Sequence, residues 1–342
     1  MATPSLGTKP TPERIFNTLN IFQQTAALKT AIQLDLFTAI GEGAREPNSL
    51  AQKLGAAERG VRILCDYLTI IGFLTKEQGN YSLAPDAALF LDRRSPAYLG
   101  SIADFLGSES AQQAFAALPQ AVRRGGTATQ NGDCTKPLDD LWVSFAKNMA
   151  PLAVPTAAFL AQLLDVADQR VCKVLDVAAG HGMYGITIAK HNPNAQIVAL
   201  DWPAVLQVAR QNANAHGVSE QFSALPGSAF DTDLGEHYDY VLLTNIFHHF
   251  DRPTCETLMR RVYTALKPGG KAATLEFIPD EDRVSPPVAA AFSLIMLAHT
   301  DAGEAYTFSE YETMFRNTGF AKTTLHEVPH SMQRILISEK LA

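Results

Sequence analysis

The stretch Val174-Leu-Asp-Val-Ala-Ala-Gly-His-Gly-Met-Tyr-Gly-Ile186 constrains this chain more than any other. An apolar run breaks into a glycine-rich turn and resumes with helical spacing, which predicts a strand, a loop and a helix. Gly180 and Gly182 accept backbone angles closed to other residues and, lacking Cβ, let a ligand lie against the main chain. The donors of the following helix's first turn are expected to point at that ligand. The next apolar run, Ala195 to Leu200, ends in Asp201, where a second parallel strand would present a carboxylate to a ribose. Together these features imply a nucleoside-like cofactor.

Strand and helix alternate around this motif. Strands are predicted near 172–177, 196–200, 222–226, 239–244 and 270–277, with helices near 183–191, 203–215 and 252–266, which specifies a parallel sheet covered on both faces. Lys267-Pro-Gly-Gly270 reads as the turn that stops the last of these helices. Ser309 to Thr318 reads as a helix closed by Gly319, and Thr323 to Glu327 with Arg334 to Ile337 as a terminal hairpin.

The N-terminal part differs. Helical spacing from Glu13 to Ile40 predicts two helices. Pro47 to Gly55 and Ala57 to Leu68 predict a helix pair, followed by strands at Gly72 to Lys76 and Tyr81 to Leu83, the pattern of a winged helix-turn-helix. Its second helix carries Arg59 and Arg62 but also Glu58 and Asp66 on an otherwise apolar segment, so packing or dimerisation is favoured over DNA binding. A formal net charge of −7 also argues against nucleic acid or anionic membrane as partners. A DNA-binding cofactor sensor is the competing class.

A helical patch at Ser110 to Val122, a loop at 123–133 and a long helix from Leu141 to Asp165 join the two parts; Pro151 and Pro155 should kink or split that helix. A length of 342 residues allows two cores. The expected division is 1–105, a connector at 106–165, and 166–342. No apolar run reaches the ~18 residues of a membrane span, and the first residues do not resemble a secretory leader. Cys65, Cys134, Cys172 and Cys255 form no C-x-x-C pair, so reduced thiols, no metal site and a cytoplasmic location are expected.

Gly180-His-Gly-Met-Tyr-Gly185 satisfies G-x-G-x-x-G, which by itself is open between NAD and S-adenosylmethionine. Two features tilt it to the latter. Asp176, four residues before the first glycine, could face the ammonium of a methionine moiety, whereas beside a pyrophosphate it would meet like charge. The downstream order of strand, Lys-Pro-Gly-Gly, strand and terminal hairpin suits a methyltransferase better than a dehydrogenase.

Val174 to Gly182, Leu200-Asp-Trp-Pro203, Tyr240 to Phe250 and Leu266 to Gly270 resemble the motifs of the two-domain S-adenosylmethionine-dependent O-methyltransferases, plant caffeate-type and bacterial polyketide-tailoring. The resemblance covers most of the chain. It implies an α/β Rossmann-like methyltransferase domain with a mixed seven-stranded sheet, preceded by a mostly helical winged-helix dimerisation domain, and hence a homodimer. It places Asp176, Gly180 and Gly182 at the methionine part, Asp201 at the ribose and Trp202 beside the adenine. Ser228, Ala229 and Phe230 fall at the adenine edge, with Ser228 where the family commonly has aspartate, and Asn245 falls in the motif before the base. His248 takes the position of the general base, suited by its ordinary pKa of ~6.5 to deprotonate a phenol. The acid that usually steadies it falls in Gly303-Glu-Ala-Tyr-Thr307, where Ala305 stands at the glutamate position and Glu304 is one residue off; Glu276, at a strand end, is the other candidate. Phe145, Met149, Phe292, Met296 and His299 would line a pocket for a small aromatic or polyketide-like acceptor. Methylation of carbon or nitrogen, and cofactor binding without catalysis, are the alternatives that Ala305 raises.

Overall fold

The computed structural model describes residues 10–129, 139–166 and 170–342, so Cys134 and the end of the expected 123–133 loop lie outside the described residues. The chain divides into two compact units, one ending at Gly107 and the other beginning at Ser108.

The first unit opens with α1 (Glu13–Leu19), α2 (Phe22–Gln33) and α3 (Leu36–Gly41). There are three helices where spacing predicts two, because Asp35 adopts φ 56° and breaks the run after α2. Aspartate is among the few residues that enter the left-handed region at modest cost. A helix pair follows, α4 (Pro47–Leu54) and α5 (Glu58–Ile70), with Gly55 at φ 62° turning the chain between them. The strands β1 (Leu74–Glu77) and β2 (Asn80–Leu83) pair antiparallel as the expected wing, and α6 (Pro85–Phe90) and α7 (Ile102–Leu106) complete the unit. Leu36, Phe37, Leu50, Leu68 and Tyr81 form its core. Arg62 and Lys76 both pair with Asp66, at 3.0 and 2.6 Å.

The second unit begins with α8 (Glu109–Ala116), α9 (Leu118–Arg124) and α10 (Asp139–Leu163). Although the stretch up to 165 reads as a connector, α10 packs on the helix that follows the glycine loop. Pro151 and Pro155 do not split α10, which runs unbroken for 25 residues. Each proline removes a donor from the helix ladder. Burial of Ala146, Ala153, Ala157, Leu160 and Ala161 along one side offsets that loss.

Next come β3 (Cys172–Val177), α11 (Met183–His191), β4 (Ala195–Asp201), α12 (Pro203–Ala215), β5 (Phe222–Pro226), β6 (Tyr238–Thr244), α13 (Arg252–Ala265), β7 (Leu266–Glu276), α14 (Pro287–His299), α15 (Phe308–Asn317), β8 (Lys322–Glu327) and β9 (Arg334–Glu339). They build a seven-stranded sheet in the order β5-β4-β3-β6-β7-β9-β8, in which β9 alone runs opposite to the rest. Lys267-Pro-Gly-Gly270 is not a separate turn before the strand. It lies within β7 as an irregularity, where Tyr238 opposes Leu266 but Tyr240 already opposes Lys271. The extra residues loop out of the ladder, as glycines permit.

The chain leaves β3 toward β4 on one side and later returns to β6 on the other. Such a reversal opens a crevice at the carboxyl ends of β3 and β6, where sheets of this kind bind ligands. Both exits carry a non-glycine residue in the left-handed region, Ala178 at φ 54° and Asn245 at φ 58°. An alanine held there costs on the order of 1 kcal/mol or more and marks a functional loop.

Candidate active site

The loop from Ala178 to Gly182 hangs between the ends of β3 and β4. Gly180 and Gly182 take φ 56° and 73°, and Gly182 caps α11 without a side chain. The first-turn donors of α11 are not all free for a ligand, as the motif alone suggests. Met183 N–H donates to His181 Nδ1 (3.1 Å) and Gly185 N–H to Asp176 Oδ2 (3.2 Å). His181 is buried, which pushes its imidazole down to about 4 and keeps it a neutral acceptor. Asp201 ties the loop to the second strand: Gly180 N–H donates to its Oδ2 (2.8 Å) and Trp202 N–H to its Oδ1 (2.7 Å).

Asp176 and Asp201 are raised by burial to about 7 and about 6, the second less because two backbone donors favour its charge. Asp176 Oδ1 has no hydrogen-bond partner. An orphaned carboxylate oxygen, a second carboxylate with spare lone pairs and two glycines without Cβ suit a ligand with an ammonium and ribose hydroxyls. They do not suit a pyrophosphate, which would add negative charge where, among the described residues, no cation acts on either aspartate.

The other expected cofactor residues gather here. Trp202 packs, as Trp142 and Val143 do, against the buried cluster of Ala146, Val205 and Val208. Gly227 N–H donates to the Asp201 carbonyl (3.0 Å), which suspends Ser228, Ala229 and Phe230 from the end of β4. Ser228 Oγ accepts from Phe230 N–H (3.1 Å), and the Phe230 ring meets Phe250 edge-on at 5.0 Å. Asn245 N–H donates to Leu275 O (2.9 Å), and its side chain accepts from Gln333. The Phe145 ring edge lies 3.9 Å from where a Cβ at Gly180 would stand, so this expected acceptor residue touches the glycine loop.

At the end of β6 a single 3₁₀ turn, Phe247–His249, presents the two histidines. Glu276, at the end of neighbouring β7 and fully buried, organises it. Its Oε1 accepts from Ile246 and Phe247 N–H (3.0 and 2.8 Å), and its Oε2 lies 2.5 Å from His248 Nδ1. A carboxylate already accepting two donors takes a third proton-bearing partner, so Nδ1 carries the hydrogen and Nε2 keeps the lone pair. An imidazole held in this way can accept a proton at Nε2.

The His249 ring centroid is 4.2 Å from that of His248, and burial and the neighbouring histidines hold it well below the usual imidazole range. The Phe292 ring meets His248 edge-on at 4.9 Å and stacks on Phe277 at 3.9 Å. Met296 is buried one turn further along α14, and His299 Nδ1 bonds Ile295 O (2.9 Å) with its ring against Phe115. Met149 lies one turn beyond Phe145 on α10.

Glu304 is not part of this constellation, which corrects the expectation that placed it beside the base. Its side chain is 42% exposed and pairs with Arg283 at 2.5 Å. Ala305 is wholly buried, with its N–H on Ser293 Oγ (3.2 Å), so a side chain one residue earlier points outward. Glu304→Ala should change turnover by no more than about threefold, as an exposed pair contributes only ~0–1 kcal/mol; steady-state kinetics check this.

That segment meets the histidine turn through Gly303 instead. A Cβ there would stand 2.2 Å from the His248 carbonyl oxygen and 2.8 Å from the His249 carbonyl carbon. Gly303→Ala should displace the histidine turn and lower kcat by about 10²-fold, as a shift near 1 Å can do, while cofactor affinity, read by calorimetry, holds. Neither Gly303 nor Trp142, which faces both Phe145 and His249, carries a sequence signal that singles it out.

Comparison with known proteins decides the family. A model of the O-methyltransferase domain matches residues 147–321, and one of the O-methyltransferase dimerisation domain matches residues 16–93. The chain belongs to the O-methyltransferase family. The enzyme is 48% identical to a candidate O-methyltransferase of known crystal structure from Nostoc punctiforme PCC 73102, with a TM-score of 0.94 over 97% of this chain and 100% of the other. It is 28% identical to the 3-hydroxy-5-methyl-1-naphthoate 3-O-methyltransferase of Streptomyces sahachiroi, over 86% of each chain. It also shares its fold with an O-methyltransferase of neocarzinostatin biosynthesis solved with S-adenosylmethionine and 2-hydroxy-5-methyl naphthoic acid, at TM-score 0.72 and 20% identity over 93% of this chain and 96% of that one. The motif resemblance, the mixed seven-stranded sheet and the methyltransferase assignment therefore stand.

Proposed function

We propose that the enzyme transfers a methyl group from S-adenosylmethionine to a hydroxyl of a small flat aromatic acceptor, a hydroxylated naphthoate or related polyketide phenol. The observation that carries this reading is the buried His248–Glu276 pair, with the ring of Phe292 edge-on to His248 at 4.9 Å. The 3-hydroxy-5-methyl-1-naphthoate 3-O-methyltransferase to which the chain is similar supports the acceptor class.

Asp176, Gly180 and Gly182 would hold the amino-acid end of the cofactor, Asp201 the ribose, and Trp202, Ser228, Ala229 and Phe230 the adenine, with Asn245 between these groups and the base. When bound, the cofactor supplies an electrophilic methyl on a sulfonium. The chain's own work is then to orient the acceptor and remove its proton. A phenol with a pKa near ~10 is mostly protonated at neutral pH, and His248 Nε2 takes that proton as the oxygen attacks. Glu276 keeps the resulting imidazolium paired. Phe292, Met296, Met149 and Phe145 exclude water and press the aromatic ring flat, and His299 offers a polar edge. Incubation with S-adenosylmethionine and 3-hydroxy-1-naphthoates, followed by mass spectrometry, tests the reading. A methyl ether supports it; methylation on carbon or nitrogen, or tight cofactor binding with no transfer to any phenol, would overturn it.

The enzyme works as a homodimer through its N-terminal unit. Helix α1 buries none of its residues, and Ile15, Phe16, Leu19 and Phe22 are more than half exposed, a row of apolar side chains that a partner would cover. Light scattering at micromolar concentration should give twice the chain mass, and Phe16→Asp should shift it toward the single chain. Among the described residues no helix is long and apolar enough to cross a membrane.

A further inference from the structure

The histidine turn has two ends, and Glu276 secures one of them by taking the N–H groups of Ile246 and Phe247. Two side chains from other parts of the chain take the carbonyl groups at the other end. The thiol of Cys255, on α13, donates to Phe247 O (3.2 Å), and the hydroxyl of Tyr306 donates to Phe250 O (2.6 Å). Both residues are buried. Burial pushes both groups far above their usual range, so each keeps the hydrogen that it donates. The Tyr306 ring is itself held edge-on to Tyr311 at 5.7 Å, and Tyr311 lies against Phe247, with 6.1 Å between ring centroids. The segment that carries Tyr306 is also tied to α14. Ala305 N–H donates to Ser293 Oγ (3.2 Å), and Gly303 N–H to Thr300 Oγ1 (2.8 Å), which donates to Met296 O (2.7 Å). Residues 300–306 thus join the helix that carries Phe292 and Met296 to the turn that carries His248.

We propose that Tyr306 is a positioning residue for His248: its hydroxyl, with the weaker thiol donor of Cys255 beside it, anchors the carbonyl end of the turn and so sets where the His248 ring stands relative to α14. The inference rests on the reading of His248 as the base and deepens it. A single 3₁₀ turn has few bonds of its own to keep its shape. In this one His249 N–H reaches Ile246 O at 3.3 Å and Phe250 N–H reaches Phe247 O at 3.1 Å. Held at its N–H end alone, the turn could pivot about Glu276, and a displacement near ~1 Å at the ring is worth about 10²-fold in rate. A neutral hydroxyl prevents this without bringing a second charge beside the buried His248–Glu276 pair.

Tyr306→Phe in the full-length enzyme keeps the ring against Tyr311 and removes only the donor. With S-adenosylmethionine and 3-hydroxy-1-naphthoate, kcat should fall about 10- to 10²-fold, while KM for the naphthoate and the S-adenosylmethionine affinity, read by calorimetry, stay within about twofold. Cys255→Ala should cost about two- to fivefold, since a thiol is the weaker donor. In the His248→Ala background neither change should slow the enzyme by more than about twofold, because the group through which both act is gone. A residue that merely stabilises the fold would slow both backgrounds alike. An equal loss in the two backgrounds therefore overturns the inference, as does a Tyr306→Phe kcat within about twofold of the wild type while His248→Ala is slow. Should Tyr306→Phe fail to fold, Cys255→Ala carries the same comparison, and a rate equal to the wild type overturns the inference. If the wild type methylates no phenol, or if His248→Ala is as fast as the wild type, the reading of His248 as the base fails and this inference with it.

Discussion

Replacing His248 with alanine is expected to lower turnover by roughly 10²- to 10⁴-fold, the range of a lost general base, while S-adenosylmethionine binds within about twofold of its original affinity. The separation follows from the architecture. The residues proposed to hold the cofactor, Asp176, Gly180, Gly182 and Asp201, sit at or just beyond the ends of β3 and β4, whereas His248 is carried by a turn after β6 that Glu276 holds from β7. Removing the ring leaves those two backbone hydrogen bonds in place, so the turn keeps its shape. The loss should shrink for acceptors with more acidic hydroxyls, which need less help to ionise, and added imidazole should restore part of the rate. Stopped-time assays with a series of substituted phenols measure both. A uniform loss across the series would mean that His248 packs the acceptor and moves no proton.

Glu276→Gln is the second large effect. The glutamine oxygen can still accept from Ile246 and Phe247 N–H, so the turn and the fold survive. Its amide group, however, now presents a donor to His248 Nδ1, which was itself a donor. The imidazole must shift its hydrogen to Nε2 or rotate, and either change removes the lone pair from the acceptor side. A kcat loss of about 10²-fold or more is expected from the wrong tautomer, with the cofactor affinity unchanged. Because base and positioning group act as one unit, the double variant should be scarcely slower than His248→Ala alone. Glu276→Ala, by contrast, leaves two buried backbone donors without partners at about 1–3 kcal/mol each, and should show a lowered melting temperature besides.

What the residues disclosed before any coordinates follows from how local each signal is. The strand, glycine loop and helix at 172–191 are legible because periodicity and glycine act over a few neighbouring residues. Helix α12 matches its expected bounds of 203–215, since Pro203 sets its start and the chain reaches Gly217 soon after its end. Continuity of α10 is not legible, because burial of its alanine face, a tertiary effect, outweighs two prolines. The third helix of the first unit turns on one backbone angle, at Asp35, that no pattern announces.

The candidate site divides the same way. Asp176, Asp201 and His248 stand at strand ends or the turn just beyond one, which alternation locates to within a residue. Glu276 is readable for the same reason, as the last residue of β7. Glu304 and Ala305 lie on irregular backbone, where neither a two-residue nor a 3.6-residue repeat says which of two neighbours faces inward. Gly303 against the His248 carbonyl is a contact between segments 55 residues apart, so its need for glycine exists only in the folded chain.

The most direct test of oxygen methylation by a His248–Glu276 base is a single-turnover reaction with S-adenosylmethionine carrying a ¹³C-labelled methyl and a 3-hydroxy-1-naphthoate acceptor. The product is read by carbon nuclear magnetic resonance, with the wild-type enzyme and His248→Ala run side by side. The expected result is a single labelled methoxy resonance that forms in the wild type and is delayed at least ~10²-fold in the variant. A labelled methyl on ring carbon, or a methoxy signal that appears equally fast without His248, would contradict it.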